Sequence, residues 1–259
     1  MGNTNEIPHD IPEEWVWRRQ KVLDCRYKYL TSLPESIGSL NNLQILFCCF
    51  NDLINIPESI CNLSNLQKFN CSNNRLKNLP EAICKLSNLL WLECEYNRLT
   101  NLPESIGFLS NLQLLICHSN RLKNLPESIC HLSHLQVLNC GYNQLTKLPD
   151  SIGNLINLYQ LSCHHNQLTN IPDSICNLNS LQELYCNNNN IKYYQPIYEY
   201  NVDNRRRLNI ANKFKNYVKI KRILNEQLIL DLDAVSIIMS FYNLVDDHPS
   251  INTTTCVVC

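Results

Sequence analysis

A pattern that recurs every 23 residues constrains the fold of this chain more than any other feature of its sequence. The segment from Leu43 to Leu66 is one copy, with leucine, isoleucine, cysteine, asparagine and proline at fixed positions. A fixed period of this length is typical of a solenoid, in which each unit buries its apolar face only against its neighbours. Seven prolines keep the period: Pro34, Pro57, Pro80, Pro103, Pro126, Pro149 and Pro172. Seven asparagines keep it as well: Asn51, Asn74, Asn97, Asn120, Asn143, Asn166 and Asn189.

The repeated unit reads LxxLxCxxNxLxxLPxxIxxLxxL, and eight copies run from about Val22 to Ile191. This pattern resembles the leucine-rich repeat family, with cysteine where that family usually has leucine. Its LPxxIxxLxxL half is most similar to the repeats of intracellular Ras-pathway scaffolds and plant Ras-group-related proteins. The resemblance implies an α/β repeat solenoid, a leucine-rich-repeat horseshoe with a parallel concave sheet. It does not identify a ligand, because function depends on sites added to the scaffold.

Each repeat predicts a short parallel strand, a turn and a short helical segment. Leu46 and Cys48 are two residues apart, which is the period of a strand with one buried face. In the family, the asparagine that follows, here Asn51, bonds backbone groups of its own and adjoining coils. Pro57 suits the first position of a helical turn, since its missing N–H would have no partner there.

Fifteen cysteines would suggest disulfides in a small secreted domain, but their positions favour free thiols. Eight occupy a core position, where a free cysteine behaves as a small hydrophobic residue. In-register strands place neighbouring cysteine side chains parallel to each other, which is poor disulfide geometry. We therefore expect a reducing, cytoplasmic compartment. The eight are Cys25, Cys48, Cys71, Cys94, Cys117, Cys140, Cys163 and Cys186.

Charge and motif content favour a non-catalytic protein. The formal net charge of −1 gives no field that would attract nucleic acid. The chain has no run of 18 apolar residues and no secretory signal, so we expect it to be neither membrane-spanning nor secreted. We find no catalytic triad or phosphate loop, and expect no cofactor and a monomer. His118 and His164 should lie two strands apart, roughly 10 Å, which is too far for a shared zinc ion.

The strand positions that point away from the core predict the function. Four positions per repeat should line the concave face; in the second repeat they are Ile45, Phe47, Cys49 and Phe50. This face is unusually apolar and aromatic, as protein-binding surfaces are. Alternatively, the C-terminal segment of the chain itself covers part of it. The predicted partner-binding residues are Ile45, Phe47, Phe50, Trp91, Glu93, Tyr96, Leu114, Ile116 and Tyr142.

The sequence divides the chain into four parts. We expect residues 1–21 to cap the first coil, residues 22–191 to form the repeats, residues 192–248 to form a small C-terminal helical appendage, and residues 249–259 to be a flexible tail. Residues 204–225 hold eight basic residues and no acidic one, with the spacing of an amphipathic helix. Three uses of this helix compete: a cap on the last repeat, a helix for a membrane surface or anionic partner, or a solvated basic face.

Two further patterns leave other functions open. The segment LDLDAVSIIMSFYNLVD is faintly similar to an F-box core, which would make the chain a substrate-recognition adaptor. The last four residues, starting at Cys256, fit the prenylation pattern except for their terminal cysteine. Lipidation of Cys256 would make the chain a membrane-associated scaffold. The main interpretation is a cytoplasmic signalling scaffold that binds an unidentified protein partner on its concave face.

Overall fold

The computed structural model of the protein describes residues 21–191. This range contains eight parallel strands, which hydrogen-bond to one another in sequence order. The predicted α/β repeat solenoid with a parallel sheet is therefore confirmed. The strands are β1 (Val22–Asp24), β2 (Ile45–Phe47), β3 (Lys68–Asn70), β4 (Trp91–Glu93), β5 (Leu114–Ile116), β6 (Val137–Asn139), β7 (Gln160–Ser162) and β8 (Glu183–Tyr185).

Neighbouring strands pair in the register of the repeat. Leu46 of β2 lies between Leu23 of β1 and Phe69 of β3, and its side chain is completely buried. Since this register holds across all eight strands, each position of the repeat forms a straight row along the array. The sequence period is thereby converted directly into rows of like side chains.

Short 3-10 helices return the chain on the other side of the core. In the helix Glu58–Asn62, Ile60 is completely buried and its N–H donates to the Pro57 carbonyl at 3.1 Å. We had predicted that Pro57 occupies the first position of this helix. Instead, Pro57 lies just before the helix, in an extended conformation (φ −65°, ψ 144°). The described range contains seven such helices: Glu35–Ser39, Glu58–Asn62, Glu81–Lys85, Glu104–Phe108, Glu127–His131, Ile152–Asn154 and Asp173–Asn177.

The core is one continuous cluster between the sheet and the 3-10 helices, running from Leu23 to Cys186. Each repeat contributes the same apolar positions, and Leu43, Leu46 and Leu53 of the second repeat are completely buried. Burying one leucine side chain stabilises a fold by roughly 1.5–3 kcal/mol relative to leaving it in water. Stability therefore accumulates repeat by repeat along the array.

The row of asparagines satisfies the backbone groups of the turns that follow the strands. The Asn97 side-chain N–H group donates to the carbonyls of Cys71 (3.0 Å), Cys94 (3.2 Å) and Glu95 (3.2 Å), while Oδ1 accepts from the Leu76 N–H at 2.9 Å. Cys71 and Leu76 belong to the preceding coil, so this amide links two coils, as the family resemblance implies. The other members of the row bond in the same way: Asn51, Asn74, Asn120, Asn143, Asn166 and Asn189.

The row of cysteines lies next to the buried leucines. The Cys25 thiol donates to the carbonyl of Phe47 at 3.2 Å, and the Cys140 thiol donates to that of Ser162 at 3.3 Å. Burial raises the pKa of Cys140 to about 12 and raises that of Cys94 well above its ordinary value. These thiols therefore stay protonated and act as small core side chains with a weak donor.

Several sequence predictions fall outside the described residues. These are the N-terminal cap over residues 1–20, the helical segment 192–248, the tail 249–259, the F-box-like segment and Cys256. They remain predictions, as do the four boundaries. No helix within residues 21–191 has the length and apolar character needed to cross a membrane.

Removing one amide from the asparagine row should destabilise the fold. Asn97→Ala leaves buried backbone groups without partners, so the free energy of unfolding should fall by roughly 1–3 kcal/mol. Urea unfolding followed by circular dichroism measures this change. The matched control is Asn101→Ala, because Asn101 is exposed and bonds only the hydroxyl of Thr100, at 3.4 Å. Equal stability of the two variants would contradict the role assigned to the row.

Thiol burial predicts the order of cysteine alkylation. In the native protein at about pH 8, iodoacetamide should modify the half-exposed Cys84 and leave the buried Cys94 intact, because the thiolate is the reactive species. Mass spectrometry of peptides measures both sites. After denaturation in urea both should react. Modification of native Cys94 at the rate of Cys84 would show that the core row is open to solvent.

Candidate functional site

Four side chains of each repeat lie on the face of the sheet opposite the core. They are the first and third residues of the strand and the second and third residues after the strand. In the repeat of β4 these are Trp91, Glu93, Glu95 and Tyr96. We call the surface formed by these positions over all eight repeats the concave face.

The structure places all nine predicted partner-binding residues at these positions. The four most exposed are Phe50, Trp91, Tyr96 and Tyr142, with 37–55% of their surface accessible. The free surface of this face is therefore mainly aromatic. The five other residues are half-buried: Ile45, Phe47, Glu93, Leu114 and Ile116.

Cys49 occupies one of these positions but, contrary to expectation, adds almost no accessible surface to the face. Cys49 is only 4% exposed, and Ser72 at the same position of the next repeat is only 2% exposed. The position lies between rows of longer side chains, so a small residue placed there does not reach the surface. The long side chain of Arg26, at the same position of the first repeat, is exposed to solvent.

An apolar band runs along the array at the first position of strands β2 to β6. Ile45, Lys68, Trp91, Leu114 and Val137 are consecutive register partners, so they span about 19 Å at ~4.8 Å per strand. The Lys68 ammonium lies 3.4 Å from the centroid of the Trp91 ring, a cation–π contact. The lysine therefore extends the band with its methylene groups and brings a charge onto the indole.

Aromatic rings occupy five of the eight positions along one border of the concave face, which we call the aromatic border: Tyr27, Phe50, Tyr96, Tyr142 and His165. Phe50, Tyr96 and Tyr142 have φ values of 57°, 52° and 49°, in the left-handed region that bulky residues rarely adopt. Such conformations cost about 1 kcal/mol or more, and the equivalent residue of every repeat adopts one, from Tyr27 to Asn188. Tyr27 stacks on Phe50 at 4.6 Å, and His165 stacks on Tyr142 at 4.2 Å. The strain was not apparent from the sequence, although the row itself is visible there at the 23-residue period.

Two carboxyl groups lie between the apolar band and the aromatic border. Burial raises the pKa of Glu93, while the Lys68 charge and a hydrogen bond from the Asn70 amide partly oppose this increase. Burial also raises the pKa of Glu95, and the nearby Glu93 carboxylate adds to the effect. Oε2 of Glu95 is buried and has no hydrogen-bond partner among the described residues. Sequence reasoning selected Glu93 but not Glu95, because spacing does not reveal how deeply a side chain is buried.

Histidines occupy the C-terminal half of the concave face. The His118 ring contacts Tyr96 edge-on, and the His164 ring contacts Tyr142 in the same way, both at 5.0 Å. A Cβ at Gly141 would lie 2.6 Å from the His164 ring, so a side chain there would displace the ring from its present position. Burial lowers the pKa of His118 and His164, so both are neutral at pH 7. Within residues 21–191, no group of three or more His, Cys, Asp or Glu side chains is arranged to hold a metal ion.

Two family models match the sequence. A leucine-rich repeat region matches residues 106–198, and a single leucine-rich repeat matches residues 65–86. No curated protein matches the chain.

Several solved structures share the fold. A leucine-rich repeat protein of Leptospira interrogans is 31% identical, with a TM-score of 0.53 over 66% of this chain and 56% of that one. A TDR receptor is 31% identical, with a TM-score of 0.59 over 62% of this chain and 29% of the receptor. The PEPR1–AtPEP1 structure is 31% identical, with a TM-score of 0.53 over 64% and 28%. The chain thus spans about half of the Leptospira protein and under a third of the other two.

The raised pKa of Glu95 predicts a pH-dependent stability. The folded chain holds this proton more tightly than the unfolded chain, whose carboxyl has its ordinary value of 4.5. The contribution of Glu95 to stability is therefore greatest at low pH and is lost as the pH rises through the raised pKa. In about 1 M salt, which screens ion pairs with other parts of the chain, Glu95→Gln should melt at a higher temperature than the wild type at about pH 7, and the difference should vanish at about pH 3.5.

The control for this experiment is Glu104→Gln. Glu104 is exposed at the start of a 3-10 helix, where a carboxylate is favoured, so its neutralisation should bring no gain at pH 7. Thermal unfolding at several pH values, followed by circular dichroism, compares the two variants. If both variants show the same pH profile, the burial of Glu95 is not what governs its effect.

Proposed function

Because this chain is a leucine-rich repeat protein, we propose that it is a non-catalytic scaffold whose concave face binds a protein partner. Leucine-rich repeat proteins generally mediate protein–protein interactions, and their fold is typically not catalytic. The observation that carries the proposal is the exposed aromatic and apolar surface around β4. The partner is unidentified.

Trp91 is the proposed centre of the binding surface. It lies in the fourth of eight strands, and the apolar band extends from it in both directions along the sheet. Interface residues that dominate binding are most often tryptophan, tyrosine and arginine near the centre of a contact. Tyr96, on the aromatic border of the same repeat, is the second anchor. Ile45, Phe47, Leu114 and Ile116 would exclude water around these anchors.

Two features of the face favour a specific partner over non-specific adhesion. The aromatic border keeps bulky side chains in left-handed conformations, where a glycine or asparagine would be less strained. The carboxyl groups of Glu93 and Glu95 are partly desolvated, so a partner that supplies a cation gains more than a purely apolar one. The surface thus offers a partner both apolar contacts and two carboxyl groups at defined positions.

The cytoplasm is the proposed compartment, and signalling is the proposed context. The buried cysteine row supports this compartment, because thiols stay reduced in the cytoplasm. Support for the context comes from the similarity of the LPxxIxxLxxL half-repeat to those of intracellular Ras-pathway scaffolds. We further propose that the chain acts as a monomer, since one face of a single array already provides the anchors.

Truncation of the central tryptophan should weaken partner binding without unfolding the chain. The partner is first captured from cell extract by the full-length wild type, and its affinity is then measured with purified components. Trp91→Ala should weaken binding by about 2 kcal/mol, which is roughly a 30-fold increase in Kd. The free energy of unfolding should change by less than about 1 kcal/mol, because Trp91 packs only on the outer surface of the sheet.

Phe108→Ala is the matched control. Phe108 is also a large exposed aromatic residue, 71% accessible, but it lies in the 3-10 helix Glu104–Phe108, outside the concave face. This variant should bind the partner as the wild type does. Loss of binding in Phe108→Ala with full binding in Trp91→Ala would move the interface to the helical side of the array.

A further inference from the structure

The concave face carries acidic groups that lack a nearby cation. Arg26 and Asp24 pair with each other at 2.6 Å, and Lys68 lies close to Glu93. Glu95 and Glu183 form no ion pair within the described part of the chain. The imidazoles of His118 and His164, whose pKa is lowered by burial, do not compensate them at pH 7. The face therefore fits an occupant that is both apolar and basic.

The chain contains a segment with this chemistry. Residues 204–225 hold eight basic residues and no acidic one. Ile210, Phe214, Tyr217 and Leu224 follow helical spacing within the segment. An amphipathic helix of this kind can place an apolar side on a hydrophobic surface and direct basic side chains to carboxylates.

A second acidic surface competes for the same segment. The residue after each repeat proline is acidic and exposed, which gives a row of single sign: Glu35, Glu58, Glu81, Glu104, Glu127, Asp150 and Asp173. This row offers charge but no continuous apolar surface. Phe108, the most exposed apolar side chain on that side, has Lys85 and His131 at the equivalent positions of the adjacent repeats. Only the concave face combines carboxylates with an apolar band among the described residues.

The length of residues 204–225 also matches the length of the concave face. A helix of 22 residues would be about 33 Å long. Eight strands at ~4.8 Å spacing span about 34 Å. The 12 residues between Ile191 and residue 204 reach up to about 40 Å when extended, whereas β8 and β4 are about 19 Å apart. The segment can therefore lie along the whole face without strain in the connection.

We propose that residues 204–225 of this chain dock on its own concave face, with their apolar side chains on the band around Trp91 and their basic side chains at Glu93, Glu95 and Glu183. Docking itself does not require a partner. Its consequence rests on the proposed function: the segment competes with the partner for the face, so binding requires its displacement.

Zero-length crosslinking of the full-length chain alone tests this proposal. A carbodiimide joins lysine amines to carboxylates in direct contact, and mass spectrometry identifies the joined residues. The expected links run from Lys213, Lys215, Lys219 or Lys221 to Glu93, Glu95 or Glu183. Links from these lysines only to the row of exposed acids, or no links to the concave face, overturn the proposal.

An equimolar mixture of 15N-labelled and unlabelled chains identifies which molecule supplies the segment. The proposal expects each link to join peptides of the same isotope composition. Links that join labelled to unlabelled peptides at the statistical frequency mean that a second copy occupies the face, and they overturn the intramolecular form.

Limited proteolysis gives an independent readout on folded variants. Glu93→Gln with Glu95→Gln should release the segment, so trypsin should cleave within residues 204–225 about fivefold faster, in proportion to the undocked population. The control pair Glu81→Gln with Glu104→Gln removes two charges from the exposed row and should leave the rate unchanged. Equal rates in both pairs overturn the proposal. Because no partner is present in either experiment, failure here leaves the proposed partner binding at Trp91 to be tested on its own.

Discussion

The whole array depends on the hydrogen bonds of one asparagine amide in each of seven consecutive repeats. After each strand the chain must leave the sheet through a turn whose backbone groups are cut off from water. The asparagine side chain bonds carbonyls of its own turn and of the preceding coil, and its oxygen accepts an N–H of that coil. No other short side chain offers two donors and an acceptor in one planar group. The amide therefore fixes the turn and the register of two coils at once.

The sequence determined most of the fold because the period itself specifies the contacts. Once positions repeat every 23 residues, in-register stacking follows, and burial of rows such as that of Leu46 requires no further information. Local geometry was less predictable. Pro57 lies just before its 3-10 helix, since a proline with extended ψ can offer its carbonyl to the first turn without itself being helical.

The sequence predicted which side chains point away from the core at the candidate site, but not how exposed each of them is. Alternation along a strand identifies which side chains leave the core, and all nine predicted residues lie on the concave face. It does not determine how far each side chain rises above its neighbours, so Cys49 proved to be buried and Glu95 was not selected. The left-handed backbone at Tyr96 also has no signature in hydrophobic spacing, because it belongs to the turn that follows each strand.

The in-register rows have a consequence for how the molecule opens. Within residues 21–191 each coil touches mainly the coils beside it, so this part of the array resembles a one-dimensional chain of coupled units. Opening is cheapest at an end, where one interface is lost, and most costly in the middle, where two must break. Amide hydrogens should therefore exchange with solvent in a gradient from both ends inward. The repeat of Trp91, far from both ends, belongs to the part of the array that fraying reaches last.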